Sequence, residues 1–212
     1  LDKPFIFINR TENHLYYLEH IKEEEFIIRT NKDAPNFKIL KSTSFDDDFD
    51  DFKTLINHDE NIFISDTLLV NDDLVLEVRK FGLPEITIHN LSSSASYDLE
   101  FKENAYDVSL SNNYEITNDN FNYQYSSLTT PKSIFSYNLA NKESENLLTK
   151  EVVGFDKSKY QLDRFFINAR DGEKIPVVTV AHKNTILNQA PILFYGYGSY
   201  GINIDAQFRE SL

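Results

Sequence analysis

The sequence predicts a mostly β fold, in which about three four-stranded blades of a β-propeller precede the opening strands of a second domain. Three observations carry this prediction. A strand–turn–strand layout occurs three times, over residues 25–40, 74–89 and 123–138, with prolines at 35, 84 and 131 placed in its turns. A hairpin that returns at a period of about 50 residues is the mark of propeller blades, one blade per copy. Aromatic residues make up 14% of the 212, with 17 Phe and 12 Tyr, and these types suit the pleated, half-buried surface of a sheet. Beyond residue 154 the pattern changes to a separate hairpin and an apolar run that enters a Gly/Tyr loop. Three hairpins of an ordinary β-sandwich are the competing architecture.

The elements follow in order. Residues 1–24 hold two strand-like runs, Phe5-Ile-Phe-Ile8 and His14 to His20. Residues 60–70 and 106–110 supply further strands ahead of the second and third hairpins, and 143–153 supply a closing strand. The acidic run Asp46-Asp-Asp-Phe-Asp-Asp51 lacks the Gly and terminal Glu of a calcium loop. It reads as a solvated loop, because like charges packed this closely repel and stay hydrated. Residues 154–162 form a connector. Next, 163–180 reads as a hairpin turning at Asp171-Gly172, a strong turn signal. The expected division is a partial propeller over 1–154 and a hinge with the start of a second domain over 155–212.

Composition narrows the function classes. Hydrophobic residues are 41% and charged residues 26%, ordinary for a globular protein. A formal charge of −13 argues against nucleic acid or an anionic membrane as partner. There are no cysteines, hence no disulfide framework and no thiolate metal site. The five histidines, 14, 20, 58, 89 and 182, form no metal-spaced cluster, and no cofactor is implied. No apolar run approaches the ~18 residues of a membrane span, and no signal peptide leads the chain, so a cytoplasmic location is expected. Residue 1 is Leu, which suggests that the numbered chain begins inside a longer one.

The functional signal lies in Pro191-Ile-Leu-Phe-Tyr-Gly-Tyr-Gly-Ser-Tyr-Gly201. Residues 191–195 read as a short buried strand feeding a loop whose glycines permit positive φ and close approach. A strand that ends in such a loop is how α/β enzymes build the rim of an active site. Gly196-x-Gly198-x-x-Gly201 matches the dinucleotide fingerprint, but too little chain follows for the helix, second strand and acidic residue that the fingerprint needs. Ser199 fails as an elbow nucleophile, because Tyr197 stands where a glycine is required. Ser199 reads as a turn residue.

Several motifs occur in an order that resembles the oligopeptidase B (protease II) branch of the prolyl oligopeptidase family of serine peptidases. They are Leu128-Thr-Thr-Pro131, Val152-Val-Gly-Phe-Asp156, Ala169-Arg-Asp-Gly172 with Ile175-Pro-Val177, and the stretch from Leu193 to Gly201. Ile28-Arg-Thr-Asn31 with Pro35-Asn-Phe37 is similar to a propeller hairpin of the same branch. The resemblance implies the last three or so blades of a seven-bladed propeller, a hinge, and the first strands of an α/β-hydrolase domain. It implies hydrolysis of short peptides, with preference after Arg or Lys. At Tyr197 it implies a hydroxyl donor to the oxyanion hole, and at Tyr200 a residue near the substrate pocket. The family's Ser, Asp and His lie downstream of this loop, so the chain alone is expected to be inactive. Its expected partners are a peptide substrate in the complete protein, and either a second chain carrying the triad or a second copy docking on open sheet edges. The alternative is a non-catalytic propeller-type binding module.

Overall fold

The computed structural model describes residues 6–44, 47–114, 119–186 and 188–211. It contains three four-stranded antiparallel meanders in sequence order and one two-stranded sheet. The first meander is β1 (Tyr16–Lys22), β2 (Glu25–Thr30), β3 (Lys38–Ser42) and β4 (Lys53–Ile56). The second is β5 (Ile62–Val70), β6 (Asp73–Lys80), β7 (Leu83–Asn90) and β8 (Ser96–Asp98). The third is β9 (Asp107–Leu110), β10 (Asn120–Ser127), β11 (Thr130–Asn138) and β12 (Glu143–Thr149). A hairpin of β13 (Tyr160–Asn168) and β14 (Lys174–His182) follows.

Packing between the sheets separates a propeller from a sandwich. Along β6 the side chains alternate between faces, as the period of 2 requires. Leu74, Leu76 and Val78 pack with Ile27 and Ile39 of the first sheet and Phe37 of its β2–β3 loop. Val75 faces the other way and joins Ile86 and Ile88 against Val108, Phe121, Tyr123 and Tyr125 of the third. The middle sheet is therefore covered on both faces by its sequence neighbours, which is the stacking of consecutive blades. That double burial explains the nearly unbroken apolar run Leu74-Val-Leu-Glu-Val78. Its single carboxylate, Glu77, is satisfied across the blade boundary. It accepts from the Leu110 N–H (3.0 Å) and the Ser65 hydroxyl (3.0 Å), while burial pushes its carboxyl pKa up.

The third sheet is built on aromatic contacts. Phe101 stacks on Tyr125 at 5.2 Å between centroids, and Tyr123 stacks on Phe135 at 5.3 Å. Tyrosine serves here because its hydroxyl reaches a polar partner at the rim of the core. Tyr123 donates to Ser144 Oγ (2.9 Å) and Tyr125 to Glu103 Oε2 (2.7 Å).

Four details depart from the sequence expectations. Pro35 lies in the β2–β3 loop, but Pro84 and Pro131 are the second residues of β7 and β11, not turn residues. The missing N–H of Pro84 costs nothing, because β8 pairs with β7 only at Thr87, Ile88 and His89. The turn between β6 and β7 is Phe81-Gly82, with φ of 49° and 79°, the type I′ combination whose twist matches the strands. Of the run Phe5–Ile8, Phe5 lies outside the described residues and Ile6 to Ile8 form no strand; Ile8 instead packs on Ile28, Leu40 and Phe52. In the acidic run, Asp46 lies outside the described residues. Asp47 accepts from the N–H groups of Thr43 (2.9 Å) and Ser44 (3.1 Å), and Phe49 and Phe52 pack against the face of the first sheet that looks away from the second. The run is thus a cover for that face as well as a solvated loop.

Candidate active-site loop and its attachment to the blades

The β13–β14 hairpin pairs in unbroken register from Tyr160↔His182 to Asn168↔Lys174, and Gly172 takes φ of 93° in its turn. Residues 191–195 do not form the expected buried strand. They have no ladder partner among the described residues, and Ile192, Leu193 and Phe194 are 71%, 74% and 86% exposed. A short apolar segment becomes a strand only when another strand offers it donors and acceptors.

In the Gly/Tyr loop the Ile202 N–H donates to Ser199 O at 3.1 Å, closing a turn around Tyr200 and Gly201, with φ of 58° and 68°. Ser199 opens that turn. Positive φ is required only at Tyr200 and Gly201. A Cβ placed on Gly196 or Gly198 would meet nothing within 4 Å, so nothing in this chain demands their lack of a side chain. Tyr197 is half-exposed and its hydroxyl makes no hydrogen bond to the described residues, while Tyr200 is 93% exposed. The structure therefore places Tyr200 in the turn and Tyr197 two residues before it opens, both accessible to solvent. No helix opens after the loop among the described residues, so the dinucleotide reading has no structural support.

The stretch following the loop carries attachments that the sequence reading missed. Residues 205–208 lie across the second and third sheets. Arg79 of β6 donates both guanidinium nitrogens to Asp205, Nη1 to Oδ1 at 2.7 Å and Nη2 to Oδ2 at 2.9 Å. Gln207 Nε2 donates to Asp107 Oδ2 of β9 (2.8 Å), and the Phe208 N–H donates to Ser126 Oγ of β10 (3.0 Å). Ala206 between them is buried. Phe208 meets Phe155 edge to face at 4.7 Å, and Glu210 pairs with Lys150. Burial pushes the Asp107 carboxyl up, and nearby Asp205 adds to the shift.

Two further contacts tie the hairpin to the blades. Arg164 of β13 donates to Phe81 O (2.6 Å), and Asn104 donates to Asp163 Oδ1 (3.1 Å). Farther along, Glu103 forms a dense polar hub at the base of the third sheet. Thr129 Oγ1 donates to its Oε1, and Tyr125 OH (2.7 Å) and Thr130 Oγ1 (2.8 Å) donate to its Oε2, where Lys157 of the connector also pairs at 3.2 Å. Burial alone would raise this carboxyl, but the hydroxyl donors outweigh it and hold the pKa at about 2. The Thr129-Thr130-Pro131 motif noted in the sequence is thus one wall of a carboxylate cage.

The remaining candidates are structural. His14 bonds Thr30 Oγ1 (2.8 Å), His89 bonds Ser96 Oγ (2.8 Å), and His182 packs edge-on to Tyr160. Among the described residues no group of three or more His, Asp or Glu side chains is arranged to hold a metal ion.

Comparison with known proteins places this geometry. Residues 2–150 match the family model described as "Prolyl oligopeptidase, N-terminal beta-propeller domain". The chain is 34% identical over 196 residues to the dipeptidyl aminopeptidase BI of Pseudoxanthomonas mexicana, covering 91% of this chain and 27% of that protein. It is 29% identical over 201 residues to protease 2 of Moraxella lacunata, covering 94% and 28%. Among solved structures, oligopeptidase B from Trypanosoma brucei with covalently bound antipain superposes with a TM-score of 0.84 at 27% identity, covering 96% of this chain and 30% of that one. The chain thus spans less than a third of the length of the relatives it matches. With three stacked four-stranded meanders lying inside the matched region, the chain belongs to the prolyl oligopeptidase family, and those meanders are blades of its N-terminal propeller.

Proposed function

We propose that this chain is the propeller-and-hinge part of an oligopeptidase B-like serine peptidase that hydrolyses short peptides after Arg or Lys. In this reading residues 155–212 begin the hydrolase domain, and Tyr197 donates its hydroxyl to the oxyanion of the tetrahedral intermediate. The observation that carries the reading is the Tyr197 hydroxyl, without a hydrogen-bond partner among the described residues, two residues ahead of a turn whose downstream chain is fixed to two blades. A donor that needs no reorganisation as charge develops is what oxyanion stabilisation requires. Tyr200, three residues on and inside the turn, is assigned to the border of the substrate pocket in the same reading. The similarity to protease 2 and to an oligopeptidase B with covalently bound antipain supports a peptide substrate.

The chain alone is inactive in this reading. A Ser–His contact exists, His89 with Ser96, but it joins neighbouring strands β7 and β8 inside the second blade and lies off the loop. The missing nucleophile and base come from the rest of a longer polypeptide or from a second chain. The test is hydrolysis of an Arg-ended fluorogenic peptide by the full-length protein and by the 212-residue chain. Activity in the first and none in the second is expected. Tyr197→Phe in the full-length protein should lower kcat by about a hundredfold. An unchanged kcat would remove Tyr197 from the oxyanion hole.

The exposed apolar run at 192–194 favours a docking role for this region beside its catalytic one. The 212-residue chain is expected to self-associate through it. A monomer by light scattering over a tenfold concentration range would count against that.

A further inference from the structure

We infer that Arg79 is a positioning residue. Through Asp205 it fixes the downstream end of the Gly/Tyr loop to the second blade, so that the propeller sets where Tyr197 stands. The catalytic consequence rests on the oxyanion reading of Tyr197; the tether itself does not.

Three features set this pair apart from ordinary surface ion pairs. Its geometry is bidentate, with two parallel N–H···O bonds of 2.7 and 2.9 Å, which fixes direction as well as distance. Both side chains are largely covered, at 23% and 17% exposure, so solvent screening is reduced. And Arg79 is itself braced, because Nη1 also donates to Gly82 O (3.1 Å), the carbonyl of the β6–β7 turn. The guanidinium is therefore held by its own hairpin before it meets Asp205. The chain leaves the loop's turn at Ile202, and three residues later it reaches this clamp.

The same hairpin turn receives the other element of the downstream region. Arg164 of β13 donates to Phe81 O, and Pro176 of β14 lies against Gly82, where an added Cβ would meet its Cγ at 3.0 Å. One two-residue turn of the second blade thus serves as the seat for the hairpin that precedes the loop and, through Arg79, for the segment that follows it. The Gln207–Asp107 and Phe208–Ser126 bonds continue the segment onto the third blade. A rotation of the second blade against the third would load the segment between Asp205 and Gln207, because Asp205 is attached to the second blade and Gln207 and Phe208 to the third.

The test has two arms. In the 212-residue chain, amide hydrogen exchange is compared for the parent, Arg79→Gln, Arg79→Lys and Asp205→Asn. Arg79→Gln and Asp205→Asn should speed exchange over residues 202–208 by about tenfold, leave β6 and β7 protected, and be partly rescued in Arg79→Lys, which keeps the charge and loses the fork. Asp205→Asn keeps the shape and leaves the blade untouched, so it reports even if Arg79→Gln folds poorly. Unchanged exchange over 202–208 in Asp205→Asn would overturn the tether. In the full-length peptidase, Asp205→Asn should lower kcat with KM held, and the double variant with Tyr197→Phe should lose no more than Tyr197→Phe alone. If Tyr197→Phe slows turnover while Asp205→Asn does not, the positioning role is overturned and the oxyanion reading survives. If Tyr197→Phe is silent while exchange at 202–208 rises in Asp205→Asn, the oxyanion reading fails and the tether stands.

Discussion

In the second sheet Leu74, Val75, Ile86 and Ile88 are all 0% exposed, whereas in the β13–β14 hairpin Phe165, Phe166, Ile167 and Ile175 are each more than 40% exposed. Both sets are large apolar side chains, and both regions are antiparallel ladders. What differs is the neighbour. The second sheet has one blade before it and one after it, so both sets of alternate side chains leave water. The hairpin's contacts with the blades include polar side chains and one proline, and these four apolar side chains face no sheet among the described residues. Burial in this molecule is a property of the stack of sheets and not of any strand within it. The exposed face of the hairpin is therefore a surface suited to covering by further chain.

The comparison can be broken most strongly from the buried side. Ile88→Ala removes a side chain that packs within the core shared by the second and third blades and should cost about 2–5 kcal/mol, because the neighbouring sheets relax only partly into the void. Urea unfolding measures it. A loss well below 1 kcal/mol would mean that the blade boundary is not the cooperative core of this chain.

The second effect is electrostatic, and it separates the caged carboxylate from the exposed ones. Glu103 titrates at about 2 in the folded protein, below its ordinary 4.5. A depressed folded-state pKa contributes stability that is complete above the unfolded value and is lost as pH falls through the folded one. With its side chain only 14% exposed, Glu103 should contribute roughly 3 kcal/mol near neutrality. Glu103→Gln is then destabilising at pH 7, and the gap between parent and variant narrows as pH falls from about 5 toward 2. Thermal melts across that range test it. A gap independent of pH would show that the cage acts by packing and not by charge.

A third, smaller effect sits where the two regions meet. Gly82 has φ of 79°, and a Cβ there would meet Pro176 Cγ at 3.0 Å. Gly82→Ala should cost about 1–2 kcal/mol, part from the backbone and part from the contact. Pro176→Ala should return only the second part, so a double-mutant cycle reads how firmly the hairpin is seated on the blade. Full additivity would mean that the hairpin simply moves aside.

How much of this was legible follows from how local each signal is. The three blade hairpins were readable because the same strand–turn–strand layout returns about every 50 residues, and the β13–β14 hairpin because its tight turn leaves Asp171-Gly172 in the sequence. Pro84 and Pro131 misled, since proline suits the first residues of a strand as well as a turn, and only the limited extent of β8 shows why Pro84 is harmless. Residues 191–195 have the composition of a strand, yet strand formation needs a partner that no local pattern reveals. The glycines marked the loop, while the roles of Tyr197 and Tyr200 came only from the resemblance to the family. Arg79 with Asp205, and Glu103 with Lys157, could not be seen at all. Each half of these pairs is an ordinary charged residue, and the partner lies far off in the chain.

The smallest effect sharpens the comparison from the exposed side. Leu193 and Phe194 are 74% and 86% exposed, so replacing both with serine removes almost no buried area. The stability of the 212-residue chain should change by no more than about 0.5 kcal/mol, the range of surface substitutions away from special features. Its association should change far more. Contiguous apolar side chains on an unpaired segment favour contact between copies, and serine at both positions withdraws that driving force while leaving the backbone free to pair. Sedimentation or light scattering of the double variant should therefore show a smaller assembled fraction than the parent at equal concentration. If the fraction is unchanged, the exposed face of β13–β14 is the sticky surface, and Phe165 and Ile167 become the next pair to replace. If stability falls by more than ~1 kcal/mol instead, the segment packs on the blades in solution, and its chemistry resembles that of the second sheet more than that of the hairpin.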